Sequence, residues 1–333
     1  MQYQKIGRSN ATVSRICLGT MHFGGVADEA TCHRIMDRAL DLGITYFDTA
    51  NVYGMPAARG RSEEILGRWF AQKGGRRERV VLATKLYAKM VEGDVPNEEP
   101  GISAHKIRRH AADSLRRLQT DHIDLYQVHH IDRRIPLEEF WSAFELLRQR
   151  GDILYVGTSN FPGWGLAKFQ MAAAFRGILG IVSEQSQYNL LNRWPELEVI
   201  PAAHDFGIGI MAYMPLAGGL LTGKRSAPAE SRTAKVQKEY KRSLEGDAVF
   251  AEYSRLCREI GEPETAVALA WVLSNPAVYT AIVGIREVSQ LDGLERASEL
   301  RLGDDVRKRL DDLFDINKGR PLGKGPVPEA FAW

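Results

Sequence analysis

Short apolar runs alternate with longer amphipathic stretches along most of this chain, and no other feature restricts its possible folds as much. The runs fall at residues 16–19, 44–47, 80–84, 123–128, 153–157, 181–184, 209–212 and 281–283. Helical spacing places Ile35, Met36, Ala39 and Leu40 on one stripe within 28–42, and Ile107, Ala111, Leu115 and Leu118 on another within 103–118. Further helices read at 137–150, 163–176, 196–206, 248–260, 264–274 and 290–299. Ser103 stands where an N-cap falls, and Gly43, Gly151, Gly177 and Gly207 stand where helices would end. Eight strands in βα alternation predict an α/β fold, a (β/α)8 TIM barrel filling one domain over 1–333. An open doubly wound sheet is the alternative.

Outside the alternation, residues 3–14 read as an N-terminal hairpin turning at Gly7-Arg8-Ser9-Asn10 and covering the barrel floor. Residues 303–317 read as an extra C-terminal helix, and the Pro/Gly-rich 319–333 as a surface strap. Two long irregular stretches, 87–101 and 217–246, have the length of functional lids or disordered segments. A formal charge of +2, with no long basic run, points away from nucleic acid. Cys17, Cys32 and Cys257 are odd in number and widely spaced, the pattern of reduced thiols in a cytoplasmic protein. No secretion leader is evident, and no window reaches the roughly 18 apolar residues of a membrane helix. Oligomeric state is not legible.

Chemistry gathers at the ends of the apolar runs. Asp48 ends the second, Tyr53 follows five residues later, Lys85 ends the third and His129 the fourth. In a parallel barrel these ends meet at one mouth. A phenol beside an ammonium becomes a better acid, because the positive charge favours the phenolate. Asp48 would keep Lys85 charged and oriented, and His129 would bond a substrate oxygen or extend a proton relay. Each residue alone has a structural reading, as a turn cap or a satisfied core histidine. A Schiff-base aldolase using Lys85 is a rival that the Tyr53/Asp48 pairing disfavours. Ser159 and Asn160 offer a hydroxyl and an amide after the fifth strand, or cap the next helix. Gly218, Gly223 and Lys224 imitate a phosphate loop, but Arg225 stands where that motif needs Ser or Thr. No GxGxxG fingerprint is present. His129 and His130 are expected on opposite strand faces, which argues against a shared metal, and no metal site is expected. Trp164, Trp194 and Tyr188 would line a cleft or pack.

Over its full length the chain resembles an aldo-keto reductase of the bacterial, potassium-channel β-subunit-like branch. The matching motifs are Gly19-Thr20-Met21, Phe47-Asp48-Thr49-Ala50-Asn51-Val52-Tyr53-Gly54, Thr84-Lys85 and Asp124-Leu125-Tyr126-Gln127-Val128-His129. The resemblance implies a catalytic tetrad of Asp48, Tyr53, Lys85 and His129, with tyrosine the acid and NADP(H) the hydride carrier. It implies that Ser159, Asn160 and Gln185 bond the nicotinamide carboxamide, that Tyr213 stacks on its ring, and that Gly19, Thr20, Met21 and Asp48 also belong to the cofactor site. Met214 to Lys224, including Pro215, Leu216 and Gly218, resembles the segment that wraps the pyrophosphate. Gly284, Arg286 and Gln290 correspond to the 2′-phosphate grip, with Arg232 and Lys224 as additions. Gly293-Leu294 stand where the family often has Glu-Asn for the adenine. The implied substrate is an aldehyde or ketone, a sugar or keto-deoxysugar among them, with pocket walls near 21–23, 87–101 and Trp164. The alternative from the same resemblance is a cofactor-binding regulatory subunit.

Overall fold

A computed structural model describes residues 1–54, 58–72, 74–223 and 248–315. Eight parallel strands close into a barrel in sequence order, the last pairing with the first. They are β3 (Ile16–Gly19), β4 (Tyr46–Asp48), β5 (Val81–Leu86), β6 (Ile123–Val128), β7 (Ile153–Ser159), β8 (Ile181–Gln187), β9 (Gly209–Tyr213) and β10 (Val278–Gly284). β1 (Tyr3–Lys5) and β2 (Thr12–Ser14) pair antiparallel outside it. Helices α1 (Glu29–Asp41), α2 (Arg61–Phe70), α3 (Ala104–Leu118), α4 (Leu137–Arg150), α5 (Gly163–Phe175) and α6 (Val199–Asp205) follow successive strands. After β9 come α7 (Ala248–Glu259) and α8 (Glu264–Ser274), and after β10 come α9 (Leu294–Glu299) and α10 (Asp304–Leu313). The open-sheet alternative is therefore excluded.

Local chemistry sets the helix ends. Asp28 accepts from the Thr31 amide (2.7 Å) to open α1, and the Ser103 hydroxyl accepts from the Lys106 amide (3.2 Å) to open α3. Gly151 closes α4 in the left-handed region, where a side chain would be strained. Several expectations need correction. α2 was not anticipated at all. The expected helix over 290–299 is instead a 3-10 turn (Val288–Leu291) followed by α9, divided at Gly293 with φ 83°. The strap at 319–333 and residues 224–246 of the second irregular stretch lie outside the described residues.

The period-two alternation of strands layers the barrel interior. Cys17, Tyr46, Ala83, Leu125, Val182, Met211 and Tyr279 form an apolar plug. Ile6 and Val13 of the hairpin close it from below, as the hairpin reading expected. Two residues further along β4, β5 and β6 stand Asp48, Lys85 and Gln127. The polar layer thus lies one pleat above the plug, at the carboxyl ends of the strands. A larger apolar cluster fills the space between the barrel and its helices.

Candidate active site

Lys85 is the centre of the polar layer. Its side chain is fully buried, and its ammonium donates to Asp48 Oδ2 (2.6 Å), the Thr49 carbonyl (2.8 Å) and the Tyr53 hydroxyl oxygen (3.2 Å). An ammonium has three N–H donors, and all three are used. Burial acts to lower the Lys85 pKa, but Asp48 and Tyr53 outweigh it and hold the pKa above its ordinary value. The other Asp48 oxygen, Oδ1, accepts from Gln185 Nε2 (3.0 Å) and Gln127 Nε2 (3.2 Å). A buried ion pair is stable only when its remaining bonding capacity is met, and the two glutamines meet it. Gln127 was missed in the sequence, although strand alternation puts it on the same face of β6 as Leu125 of the plug.

Tyr53 arrives by a turn rather than a strand. Its amide donates to the Ala50 carbonyl (3.0 Å), and its carbonyl accepts from the Gly60 amide (3.1 Å) at the start of α2. His129 lies edge-on to it, ring centroids 6.1 Å apart. Burial, then the Lys85 charge, hold the His129 pKa well below its ordinary value, so the imidazole is neutral at pH 7. The reading of His129 and His130 as opposed is overturned. β6 ends at Val128, and the two rings stack at 5.3 Å and 11°. His130 in turn meets the Tyr87 ring edge-on at 5.2 Å. No group of three metal-ligating side chains occurs among the described residues.

These residues face a cleft of about 920 Å³ whose lining includes Asp48, Tyr53, His129 and His130. Lys85 sits just beneath. Every sequence-nominated cofactor residue within the described chain lines this cleft: Gly19, Thr20, Met21, Asp48, Ser159, Asn160, Gln185, Tyr213, Pro215, Leu216, Gly218, Gly284, Arg286 and Gln290. Lys224 and Arg232 lie outside the described residues. Some of these side chains are engaged differently from expectation. Gln185 spends its amide N–H on Asp48. Asn160 does not cap α5, whose N-cap is Pro162. Its Nδ2 instead donates to the His129 carbonyl (3.0 Å) and Ser159 Oγ (3.0 Å), and its Oδ1 accepts from the Tyr213 hydroxyl (2.9 Å). Gln290 Oε1 accepts from the Arg286 amide (2.7 Å) and shapes the turn that carries that arginine. The guanidinium of Arg286 has no carboxylate at ion-pair distance among the described residues.

Sequence reasoning overlooked Pro263, Thr265 and Ala266 at the start of α8, which line the cleft; His22 lines it too, from the wall expected near 21–23. Phe23, expected in a pocket wall, is fully buried in the core instead. Tyr188 is buried and donates to Glu196 Oε1 (2.7 Å); neither it nor Trp194 or Trp164 lines the cleft. No described helix is long and apolar enough to cross a membrane.

Comparison with known proteins bears on this geometry. The model of the Aldo/keto reductase family matches residues 15–315. The chain is 50% identical over 338 residues to "Uncharacterized oxidoreductase YrpG" of Bacillus subtilis (strain 168), covering 100% of both. It is 32% identical to "Aldo-keto reductase YhdN" of the same organism, over 97% of this chain and 96% of the relative. It is 33% identical to "Probable voltage-gated potassium channel subunit beta" of Oryza sativa subsp. japonica, over 87% and 89% respectively.

Proposed function

Because the chain belongs to the aldo/keto reductase family, oxidoreductases that reduce carbonyls, we propose that it is an NADP(H)-dependent reductase of small aldehydes or ketones, sugar and keto-deoxysugar carbonyls included. The observation that carries this reading is the Lys85 ammonium, bonded at once to Asp48 and to the Tyr53 hydroxyl at the wall of a large cleft. In this reading Tyr53 is the acid. As its proton passes to the carbonyl oxygen, negative charge develops on the phenolic oxygen, and the Lys85 N–H already directed there stabilises it. Asp48 keeps Lys85 charged and fixed. Neutral His129 donates a hydrogen bond to the same carbonyl oxygen and orients the substrate. A nicotinamide dinucleotide, when bound, supplies the hydride that reaches the carbonyl carbon.

The residues fit such a cofactor. The cleft combines amide and hydroxyl groups at Ser159 and Asn160, an aromatic ring at Tyr213 and close backbone at Gly218, where φ is 66°. At its other side Arg286 offers a guanidinium suited to a phosphate. We assign Arg286 to the 2′-phosphate, and hence NADP(H) over NAD(H). A single barrel domain over 1–333 and a cytoplasmic setting complete the reading, the latter supported by three buried free thiols. The regulatory-subunit alternative would use the same cofactor cleft, but the complete set of Asp48, Tyr53, Lys85 and His129 gives no sign of lost catalysis.

NADPH absorbance followed against a carbonyl panel, keto-sugar nucleotides among them, tests the activity; absence of carbonyl-dependent oxidation would overturn it. Arg286→Ala tests the cofactor. NADPH affinity should fall about tenfold or more, as for a lost charge-assisted bond, with NADH affinity nearly unchanged. Equal losses would remove Arg286 from the phosphate.

A further inference from the structure

Strand β8 presents two adjacent polar residues to opposite sides. Gln185 points into the barrel at Asp48. Glu184 points outward and is completely buried. Its carboxyl group touches both flanks of one dipeptide: Oε2 accepts from the Thr158 hydroxyl (2.5 Å), and Oε1 accepts from the Phe161 amide (3.1 Å). Ser186 Oγ donates to Oε1 as well (3.0 Å). Between residues 158 and 161 lie Ser159 and Asn160, both facing the cleft.

That dipeptide needs holding. Asn160 sits in the left-handed region at φ 59°, which L-residues other than Asn and Asp adopt with difficulty. It is followed at once by Phe161, whose amide points at Glu184. The Asn160 amide bonds the Gln185 carbonyl (3.1 Å), and the Ser159 hydroxyl donates to that same carbonyl (2.9 Å). Residues 184 and 185 therefore grip the turn from both sides. Of the two, only Glu184 reaches beyond the dipeptide to fix its entry and its exit.

We propose that Glu184 is a positioning residue for the nicotinamide end of the cofactor, its carboxyl group clamping residues 158 and 161 so that Ser159 and Asn160 present their side chains to the cleft. The proposal rests on the nicotinamide reading above and adds a residue that touches neither cofactor nor substrate. Without the clamp, the buried Phe161 amide loses its acceptor, the Thr158 hydroxyl keeps only its longer bond to the Ser183 carbonyl (3.5 Å), and the left-handed turn loses the anchor at its exit. Burial raises the Glu184 pKa to about 8 against the pull of its donors, so a neutral amide of the same shape should substitute well: its oxygen accepts from the Phe161 amide, and its N–H donates to the Thr158 hydroxyl oxygen, which turns its own proton to the Ser183 carbonyl. A hydrocarbon should not.

The test compares full-length wild type with Glu184→Leu and Glu184→Gln, titrated with NADPH and with adenosine 2′,5′-bisphosphate, which lacks the nicotinamide. Glu184→Leu should weaken NADPH about tenfold, the scale of one orphaned buried donor, and leave the bisphosphate unchanged. Glu184→Gln should restore most of the NADPH affinity. Should Glu184→Leu not fold, Thr158→Val removes one arm of the clamp and should show a smaller loss of the same selectivity. NADPH affinity unchanged in Glu184→Leu or Thr158→Val, or lost in parallel with the bisphosphate, would overturn the clamp while the nicotinamide reading stands. Failure of the wild type itself to bind NADPH would overturn both.

Discussion

The Lys85 ammonium ties the Tyr53 hydroxyl to Asp48. Lys85 has no donor to spare, and each of its three bonds ends on a group contributed by β4 or the turn after it. Replacing Tyr53 with Phe removes the acid but leaves the ring, the turn and the lysine. We expect kcat to fall by about 10²- to 10⁴-fold, the usual worth of a positioned acid, with NADPH affinity essentially unchanged. A Tyr53→Phe enzyme turning over at the wild-type rate would give the proton to another group. At this scale much was legible. Asp48, Lys85 and His129 end apolar runs, and a barrel brings such ends together. The second pair of partners on Asp48 was not legible, because a glutamine within a strand reads the same whether it bonds a neighbour's carboxylate or a ligand. Gln185 illustrates this: it was nominated for the nicotinamide, and its amide is found on Asp48.

Among the elements, α2 supports the site most directly and was not anticipated. Ile65, Leu66, Trp69 and Phe70 repeat at helical spacing behind an acidic first turn, so the signal was present. It was obscured by its neighbours, since Gly60 precedes it and Gly67 interrupts it. The structure shows why Gly67 is there. A Cβ at that position would lie 2.1 Å from the Arg117 carbonyl oxygen, because α2 and α3 cross there at backbone contact. Near its start, α2 places Ser62 Oγ against Thr20 Oγ1 (2.8 Å), and Thr20 lines the cleft. Gly67→Ala should therefore force the helices apart and destabilise the protein by about 1–3 kcal/mol, read as a lowered midpoint in urea. An unchanged midpoint would show that the crossing yields at little cost. Ser103 and Asp28, by contrast, cap their helices as local chemistry dictates, since an N-cap bond needs only the next three residues.

The whole molecule decides how the long loops behave. Residues 87–101 have no regular structure, yet they are tied down. The buried Lys106 ammonium on α3 donates to the carbonyls of Tyr87 (2.6 Å), Glu99 (2.8 Å) and Glu98 (3.4 Å). The Glu98 carboxylate accepts from Arg109 and from the Met90 amide (3.1 Å), and lies 3.0 Å from His110 Nε2. His110 Nδ1 in turn lies 3.0 Å from Asn51 Nδ2, in the turn that carries Tyr53. The loop is thus held in place rather than a lid; none of its residues lines the cleft, against the expectation of a pocket wall there, but its first residue, Tyr87, braces His130, which does. Lys106→Met keeps the stem and deletes the three bonds, leaving the Tyr87 carbonyl with the Gly101 amide alone (3.2 Å) and the Glu98 and Glu99 end of the loop without its tether. We expect faster proteolysis within 87–101 and a KM for the carbonyl substrate raised several-fold, with cofactor affinity unchanged. Intact proteolytic resistance would mean the loop is held by other contacts.

Local pattern predicted the eight strands and the strand ends that carry Asp48, Lys85 and His129, and favoured a barrel over an open sheet, a choice that the closed sheet then decided. Periodicity and end signals are properties of neighbouring residues, and a βα repeat leaves few ways to close. Only tertiary structure decided who bonds whom across the barrel. Asp48 and Gln185 are 137 residues apart and meet at 3.0 Å; the Glu184 clamp and the His129–His130 stack likewise depend on where adjacent strands stop. Such contacts arise when the sheet closes and each buried polar group must find a partner among the few within reach, a choice made by distance in space that spacing along the chain does not encode.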